Sequence, residues 1–310
     1  MRTTLALVLA LAVSAPAFAQ DGKPVLLSPK DVRALPATEP VATLAYGPAP
    51  QQQGELRLPP GKGPFPVAIV IHGGCWTAGY ETLKGTAPMA SALTAKGLAT
   101  WNIEYRRVGD PGGGFPGTLQ DWGAAADHLR VLAKSYPLDL KRVVAVGHSA
   151  GAHGALWIAA RRKLPRDSSV ASRSSLPVRA AVAIDGPADL RDVIGKDEEI
   201  CGRPILTPFF GGSVTDRPEA YRLANPAELG PLGVPQHLVA SSVLPPSAAE
   251  AYRAAANARG DQVEVLTLKD AGHFNMIAPG NPAWTPVEAI IVRVAKGGRG
   301  PPLAPGAPLR

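Results

Sequence analysis

Two hydrophobic periods alternate along most of this chain. Short runs rich in apolar residues occur at Val67 to Ile71, Leu98 to Tyr105, Val143 to Val146, Ala180 to Ile184, His237 to Ala240 and Val263 to Leu268. Val67 to Ile71 is a continuous run rich in β-branched residues and predicts a strand buried on both faces; the others predict strands of the same sheet. Between them lie segments with apolar residues three and four apart, the spacing of one helix face. Ala87 to Lys96 stops at Gly97, and Thr118 to Ser135 carries Leu119, Trp122, Ala126, Leu129 and Leu132 on one stripe. Ala150 to Arg161, Ser247 to Arg259 (ended by Gly260) and Pro286 to Val294 complete the predicted helices. Val41 to Tyr46 and Glu55 to Leu58 predict two earlier strands around a Pro/Gln loop. Residues 186 to 235, rich in Gly and Pro, predict short helices at most. Strands alternating with helices predict an α/β architecture, a mostly parallel twisted sheet with helices on both faces.

The two ends depart from this pattern. MRTTLALVLALAVSAPAFAQ combines Arg2, an apolar run from Leu5 to Val13 and the small-x-small triplet Ala17-Phe18-Ala19. That is the layout of a secretory signal peptide over residues 1–19. The run is too short to span a bilayer well, so no stable membrane anchor is expected after cleavage, and the chain reads as exported, periplasmic or secreted. Residues 20–40, with Pro24, Pro29, Pro36 and Pro40, read as an N-terminal loop segment; residues 41–295 read as one domain; the Gly/Pro-rich residues 296–310 read as a disordered tail. Cys75 and Cys201 are the only cysteines. An oxidising compartment makes them a candidate disulfide, with two buried thiols as the alternative.

The formal charge of +7 adds little to this picture. Arg2, Lys296, Arg299 and Arg310 lie in the terminal segments, leaving 28 bases against 25 acids between residues 20 and 295. With no aromatic–basic stripe, that balance gives no footing for a nucleic-acid partner. Nothing in the sequence indicates an oligomeric state.

Candidate chemistry sits where predicted strands end. Gly147-His148-Ser149-Ala150-Gly151 follows one strand and opens a helix. A G-x-S-x-G turn in that setting lifts a serine hydroxyl above the sheet edge, and the helix N-terminus behind it faces a developing oxyanion. Ser149 is the candidate nucleophile. His72-Gly73-Gly74-Cys75-Trp76 ends the Val67–Ile71 strand. Its glycines let backbone N–H groups face a cavity, so Gly73, Gly74 and Ala150 are the candidate oxyanion donors, with His72 orienting the loop. His273, in the glycine-preceded loop after the last strand, is the candidate general base. Trp76 and Tyr80 are candidate substrate-binding residues, with Phe209 and Phe210 as further aromatic residues near the site. No Cys/His cluster has metal-ligand spacing, and this chemistry calls for no metal or cofactor.

HGGCW, EYR, GHSAG and AGHF, in that order, resemble the α/β-hydrolase superfamily over roughly residues 41 to 295. The chain is similar to its HGG-type esterase branch: bacterial feruloyl-esterase-like proteins, kynurenine formamidases and hormone-sensitive-lipase relatives. The resemblance implies an α/β-hydrolase fold and a serine hydrolase, carboxylesterase-like, acting on a small-molecule ester or amide through an acyl-enzyme. It also implies an aspartate in the loop after the strand His237–Ala240. Here that loop reads Ser241-Ser242-Val243-Leu244-Pro245, and no acidic residue lies between Glu228 and Glu250. Asp185, at the end of the strand after the nucleophile's, is the proposed substitute, an arrangement similar to that of some lipases of the superfamily. Glu250 is the next candidate, Asp189 reads as a helix cap, and a dyad with Ser242 or water orienting His273 is a further option. An aryl-formamidase-like amidase, or a non-catalytic binding protein that kept the fold, are the competing readings.

Overall fold

In the computed structural model, residues 25–269 and 271–298 are described. The expected signal peptide and nearly all of the expected tail lie outside the described residues. The predicted strands form one sheet: β1 (Ala42–Ala45), β2 (Gln53–Arg57), β3 (Phe65–Ile71), β4 (Ala99–Ile103), β5 (Leu138–His148), β6 (Ala180–Ile184), β7 (Gln236–Ala240) and β8 (Val263–Thr267). Their spatial order is β1-β2-β4-β3-β5-β6-β7-β8. β1 and β2 run antiparallel at one edge, and every pair from β4 to β8 is parallel. The mostly parallel sheet read from the sequence is the one observed.

The continuous apolar run of β3 has the cause expected of it, since both faces of the strand are covered. Along β3, Val67, Ile69 and Ile71 pack on one side with α3 (Gly117–Leu132), α4 (Ala150–Ala160) and α9 (Pro246–Ala258). Ala68 and Val70 face the other side, against α2 (Ala87–Ala95) and α10 (Trp284–Lys296). This is the period-two geometry of a strand feeding two cores.

Three departures from the sequence pattern have local reasons. β5 begins at Leu138, ahead of the apolar run, because Leu138 and Asp139 pair with Phe65 and Pro66 before a register shift that skips to Val143, in a stretch where burial is incomplete. A short helix, α1 (Pro29–Arg33), interrupts the segment expected as loop; it is too brief to show a periodic stripe. Its signal was the capping box, Ser28 and Asp31 bonding each other's backbone, with proline in the first turn. Residues 186–235 carry four short helices, α5 (Asp197–Cys201), α6 (Leu206–Phe210), α7 (Pro218–Ala224) and α8 (Pro226–Leu229).

The chain runs from β3 out to β4 on one side, then back across to β5 on the other. Strand order reverses there, and a crevice opens at the C-terminal ends of β3 and β5, the usual ligand position in parallel α/β sheets. Both glycine-rich motifs sit at that crevice. The Cys75–Cys201 disulfide ties the loop after β3 to the end of α5, across a sequence separation of 126 residues.

α4 is buried throughout, and it carries a histidine inward. His153 meets Trp76 and Trp122 edge-on, with ring centroids 5.7 and 5.2 Å away, and donates Nε2–H to the Ala224 carbonyl at 2.7 Å. Burial pushes its pKa from 6.5 down to about 4, against the smaller upward pull of that carbonyl.

Two outcomes follow for stability. The unfolded chain binds a proton at His153 near pH 6.5 while the fold refuses it until about 4, so unfolding free energy should fall as pH drops through that window. His153→Gln should flatten that slope in urea melts taken at several pH values. Replacing both Cys75 and Cys201 by serine should lower unfolding free energy by about 2–4 kcal/mol, read from the urea midpoint, because the unfolded chain regains the entropy of an open loop.

Candidate active site

β5 ends at His148 and α4 begins at Ala150, so Ser149 alone turns the chain. It does so at φ 56° and ψ −124°, a left-handed backbone that few non-glycine residues adopt. Ser149 N–H donates to Ile184 O on β6 at 2.9 Å, which fixes the turn to the sheet. The flanking glycines are there for space: a Cβ on Gly147 would stand 1.8 Å from Gly151 O. Cys75, Trp76 and Asp185 are the other non-glycine residues with left-handed φ among the described residues. All four lie at the strand ends around the crevice, the kind of place where backbone strain collects at functional sites.

Asp185 follows Ile184 directly, at the C-terminal end of β6, and is fully buried. Its Oδ2 lies 2.7 Å from His273 Nδ1 and accepts the Ser242 hydroxyl at 3.0 Å. Its Oδ1 accepts N–H groups of Ser241, Val243 and Leu244 at 3.2, 3.0 and 2.9 Å. The loop without an aspartate of its own therefore wraps around Asp185. Burial pushes this carboxyl up, but the His273 bond and the Leu244 N–H outweigh it and hold it below the usual carboxylate range. The other acids are elsewhere. Glu250 sits half-exposed on α9, paired with Arg253, and Asp189 caps the short turn after it by accepting Arg191 N–H. Ser242 supports Asp185 and does not replace it.

His148 braces the histidine. It donates Nε2–H to His273 O at 2.9 Å, and the two rings lie 4.3 Å apart. Burial, then the neighbouring His273, hold the His148 pKa down to about 3, so it packs there as a neutral ring.

The HGG loop is oriented by its carbonyls. His72 O accepts the Tyr105 hydroxyl at 2.8 Å, and Gly73 O lies 2.7 Å from His72 Nδ1. A planar trans peptide throws its N–H opposite its carbonyl, so pinning these two carbonyls sets the directions of Gly73 N–H and Gly74 N–H. Among the described residues, those two N–H groups and that of Ala150 donate to no protein acceptor. Beneath them, His72 Nε2 lies 2.8 Å from Glu104 Oε1, and Arg107 lies 3.4 Å from the same oxygen. Burial raises the Glu104 carboxyl, but His72 and Arg107 outweigh it and the net shift is downward. Gly73 also approaches the serine so closely that a Cβ there would meet Ser149 Cβ at 2.8 Å.

Ser149, His273, Gly73 and Gly74 line one cavity of about 220 Å³. Among the described residues no hydrogen bond joins Ser149 Oγ to the His273 ring; such contacts commonly tighten only with substrate bound. Tyr80 lines the cavity as expected and donates its hydroxyl to Cys201 O at 2.8 Å. Trp76 does not. It is 3% exposed and packs in the core against His153 and Phe209, whose buried rings take up its large apolar surface. Phe209 and Phe210 are core residues too. The supporting roles of Glu104, Tyr105 and the Ser241–Leu244 loop escaped the sequence reading, although EYR was visible as a motif. Among the described residues, no three His, Cys, Asp or Glu side chains converge to hold a metal ion.

Known proteins resemble this chain in sequence and in fold. The family model described as BD-FAE matches residues 55–230, more than half of the chain. Esterase LipC of Mycobacterium tuberculosis is 28% identical over 222 residues, which cover 68% of this chain and 53% of that protein. The chain thus spans about half the length of that curated relative. Among solved structures, esterase B from Lactobacillus rhamnosis superposes with a TM-score of 0.70 at 18% identity, covering 85% of this chain and 90% of that one. A bacterial heroin esterase gives a TM-score of 0.63 at 21% identity, covering 80% of each chain. At such identities these structures speak for the fold, and the sequence match speaks for the family. The chain belongs to the BD-FAE family and has the α/β-hydrolase fold.

Proposed function

We propose that this protein is an exported serine hydrolase of carboxylesterase type, acting on a small ester through an acyl-enzyme on Ser149. The observation that carries the reading is the hydrogen bond from His273 Nδ1 to buried Asp185, beside a strained serine in the same cavity. Ser149 Oγ attacks the ester carbonyl while His273 Nε2 takes its proton. Asp185 holds the ring in the tautomer that leaves Nε2 free and balances the imidazolium that forms. The N–H groups of Gly73, Gly74 and Ala150 receive the negative charge on the tetrahedral oxygen, with the α4 N-terminus behind them. Collapse returns the proton from His273 to the departing alcohol. Water then repeats the sequence on the acyl-enzyme, releasing the acid.

The non-catalytic reading rested on the absent loop aspartate; the hydrogen bond between Asp185 and His273 supports the catalytic one. No observation favours a formamide over an ester. LipC carries the name of an esterase, and the solved relatives include esterases, which supports the same class. The disulfide and the N-terminal signal pattern support export.

The mature protein should label with a fluorophosphonate probe and hydrolyse p-nitrophenyl acetate or butyrate, and Ser149→Ala should do neither. Equal labelling of both proteins would reject the reading. Asp185→Asn should lower kcat by about 10⁴ with little change in KM, because the histidine is then held in the wrong tautomer. Tyr105→Phe releases the His72 carbonyl and lets the oxyanion loop tilt. It should reduce kcat by about tenfold, less than the ~10²–10³ lost when a donor is removed outright.

A further inference from the structure

The cavity has a wall that the family match does not contain. Pro29 and Val32, from α1, line it together with Ser149 and His273, whereas the matched region begins at residue 55. This N-terminal segment is fastened at both sides of the crevice. Asn275, two residues after His273, accepts Leu27 N–H on Oδ1 at 2.8 Å and donates its Nδ2–H to Val25 O at 2.8 Å. On the other side Arg33 Nη1 meets both oxygens of Glu81 at 3.0 Å, and Glu81 packs against Gly74, where a glycine Cβ would stand 2.9 Å from Glu81 Cβ. The segment therefore bridges the loop of the histidine and the loop of the oxyanion donors.

Val32 is the residue that this bridge turns inward. It is 1% exposed and packs in the core beneath α2, yet it also faces the cavity. Apolar side chains that line the same cavity include Ile277, Phe274 and Ile200, the last next to Cys201 of the disulfide. At about 220 Å³ the space falls below the usual range for drug-sized ligands, and no polar group on α1 points to a hydrogen-bonded substrate arm.

We propose that the segment Val25–Arg33 is part of the substrate site, and that Val32 is a specificity-determining wall restricting one arm of the substrate to a short apolar chain. The proposal rests on the serine-hydrolase reading for its chemistry, but its geometry concerns only the cavity. The arm could belong to the acyl or to the alcohol half, which share the same chemistry, so the test separates them.

The experiment measures kcat/KM for p-nitrophenyl esters from acetate to octanoate, and for acetate esters from ethyl to octyl, in wild type, Val32→Ala and Val32→Phe. Val32→Ala should raise the ratio of octanoate to acetate, or of octyl to ethyl, by about tenfold, since methylene-sized changes in an apolar pocket discriminate on that scale. Val32→Phe should lower the same ratio. The series that responds names the arm. Arg33→Ala leaves the core intact and unlatches one end of the segment, so it should shift the same ratio in the Val32→Ala direction by a smaller factor. It keeps the test open should Val32→Ala fail to fold. Unchanged ratios in both series, in folded variants, overturn the proposal. Should wild type hydrolyse no ester, the function fails separately. The wall is then read in the Ser149→Ala background, from thermal stabilisation by n-alkanoates from acetate to octanoate. The longest stabilising chain should lengthen with Val32→Ala, and an identical length dependence with and without that change overturns the proposal.

Discussion

The site depends on how one buried carboxylate is kept ionised. Asp185 lies out of water at the end of β6, where an unpaired charge would be expelled or protonated. Three backbone N–H groups, one hydroxyl and the His273 ring answer it. Removing a side chain from that set would leave the charge under-satisfied, and a buried charge that loses its partner is strongly destabilising. The loop from Ser241 to Leu244 is thus committed in shape by the acid it surrounds. His273 in turn takes its orientation from the same oxygen that Ser242 touches, while His148 holds its main chain.

The elements most legible in the sequence were those whose pattern had one physical cause. The fully apolar run from Val67 to Ile71 meant a strand covered on both faces, and β6 matches its predicted run residue for residue. Ser149, the HGG loop and His273 were legible because short-range sterics tie them to strand ends: the tight turn at Ser149 needs glycine on both sides. What escaped was set by distance in space. No local pattern could tell that the loop after β7 would close around a carboxylate on its neighbour strand, although the missing aspartate pointed to the gap and Asp185 to the answer. Trp76 was misplaced because the rings it packs against, His153 on α4 and Phe209 on α6, lie far along the chain. α1 was hidden by its brevity.

The disulfide and the segment containing α1 are both fastened to the loop that follows β3. Cys201 ties the short-helix region 186–235 to the residue after Gly74, and Arg33 ties the N-terminal segment to Glu81, beside that glycine. Neither belongs to the sheet, yet both bear on the loop that carries the Gly73 and Gly74 amides. The scaffold supplies the strand ends, and both fastenings converge on the one loop.

One consequence follows from the bond between Ser149 N–H and Ile184 O. Ile184 immediately precedes Asp185, so hydroxyl and carboxylate are carried by adjoining strands stitched together at their tips. Their separation is a lattice spacing of the sheet, indifferent to the breathing of loops. His273 alone among the three rides outside that lattice.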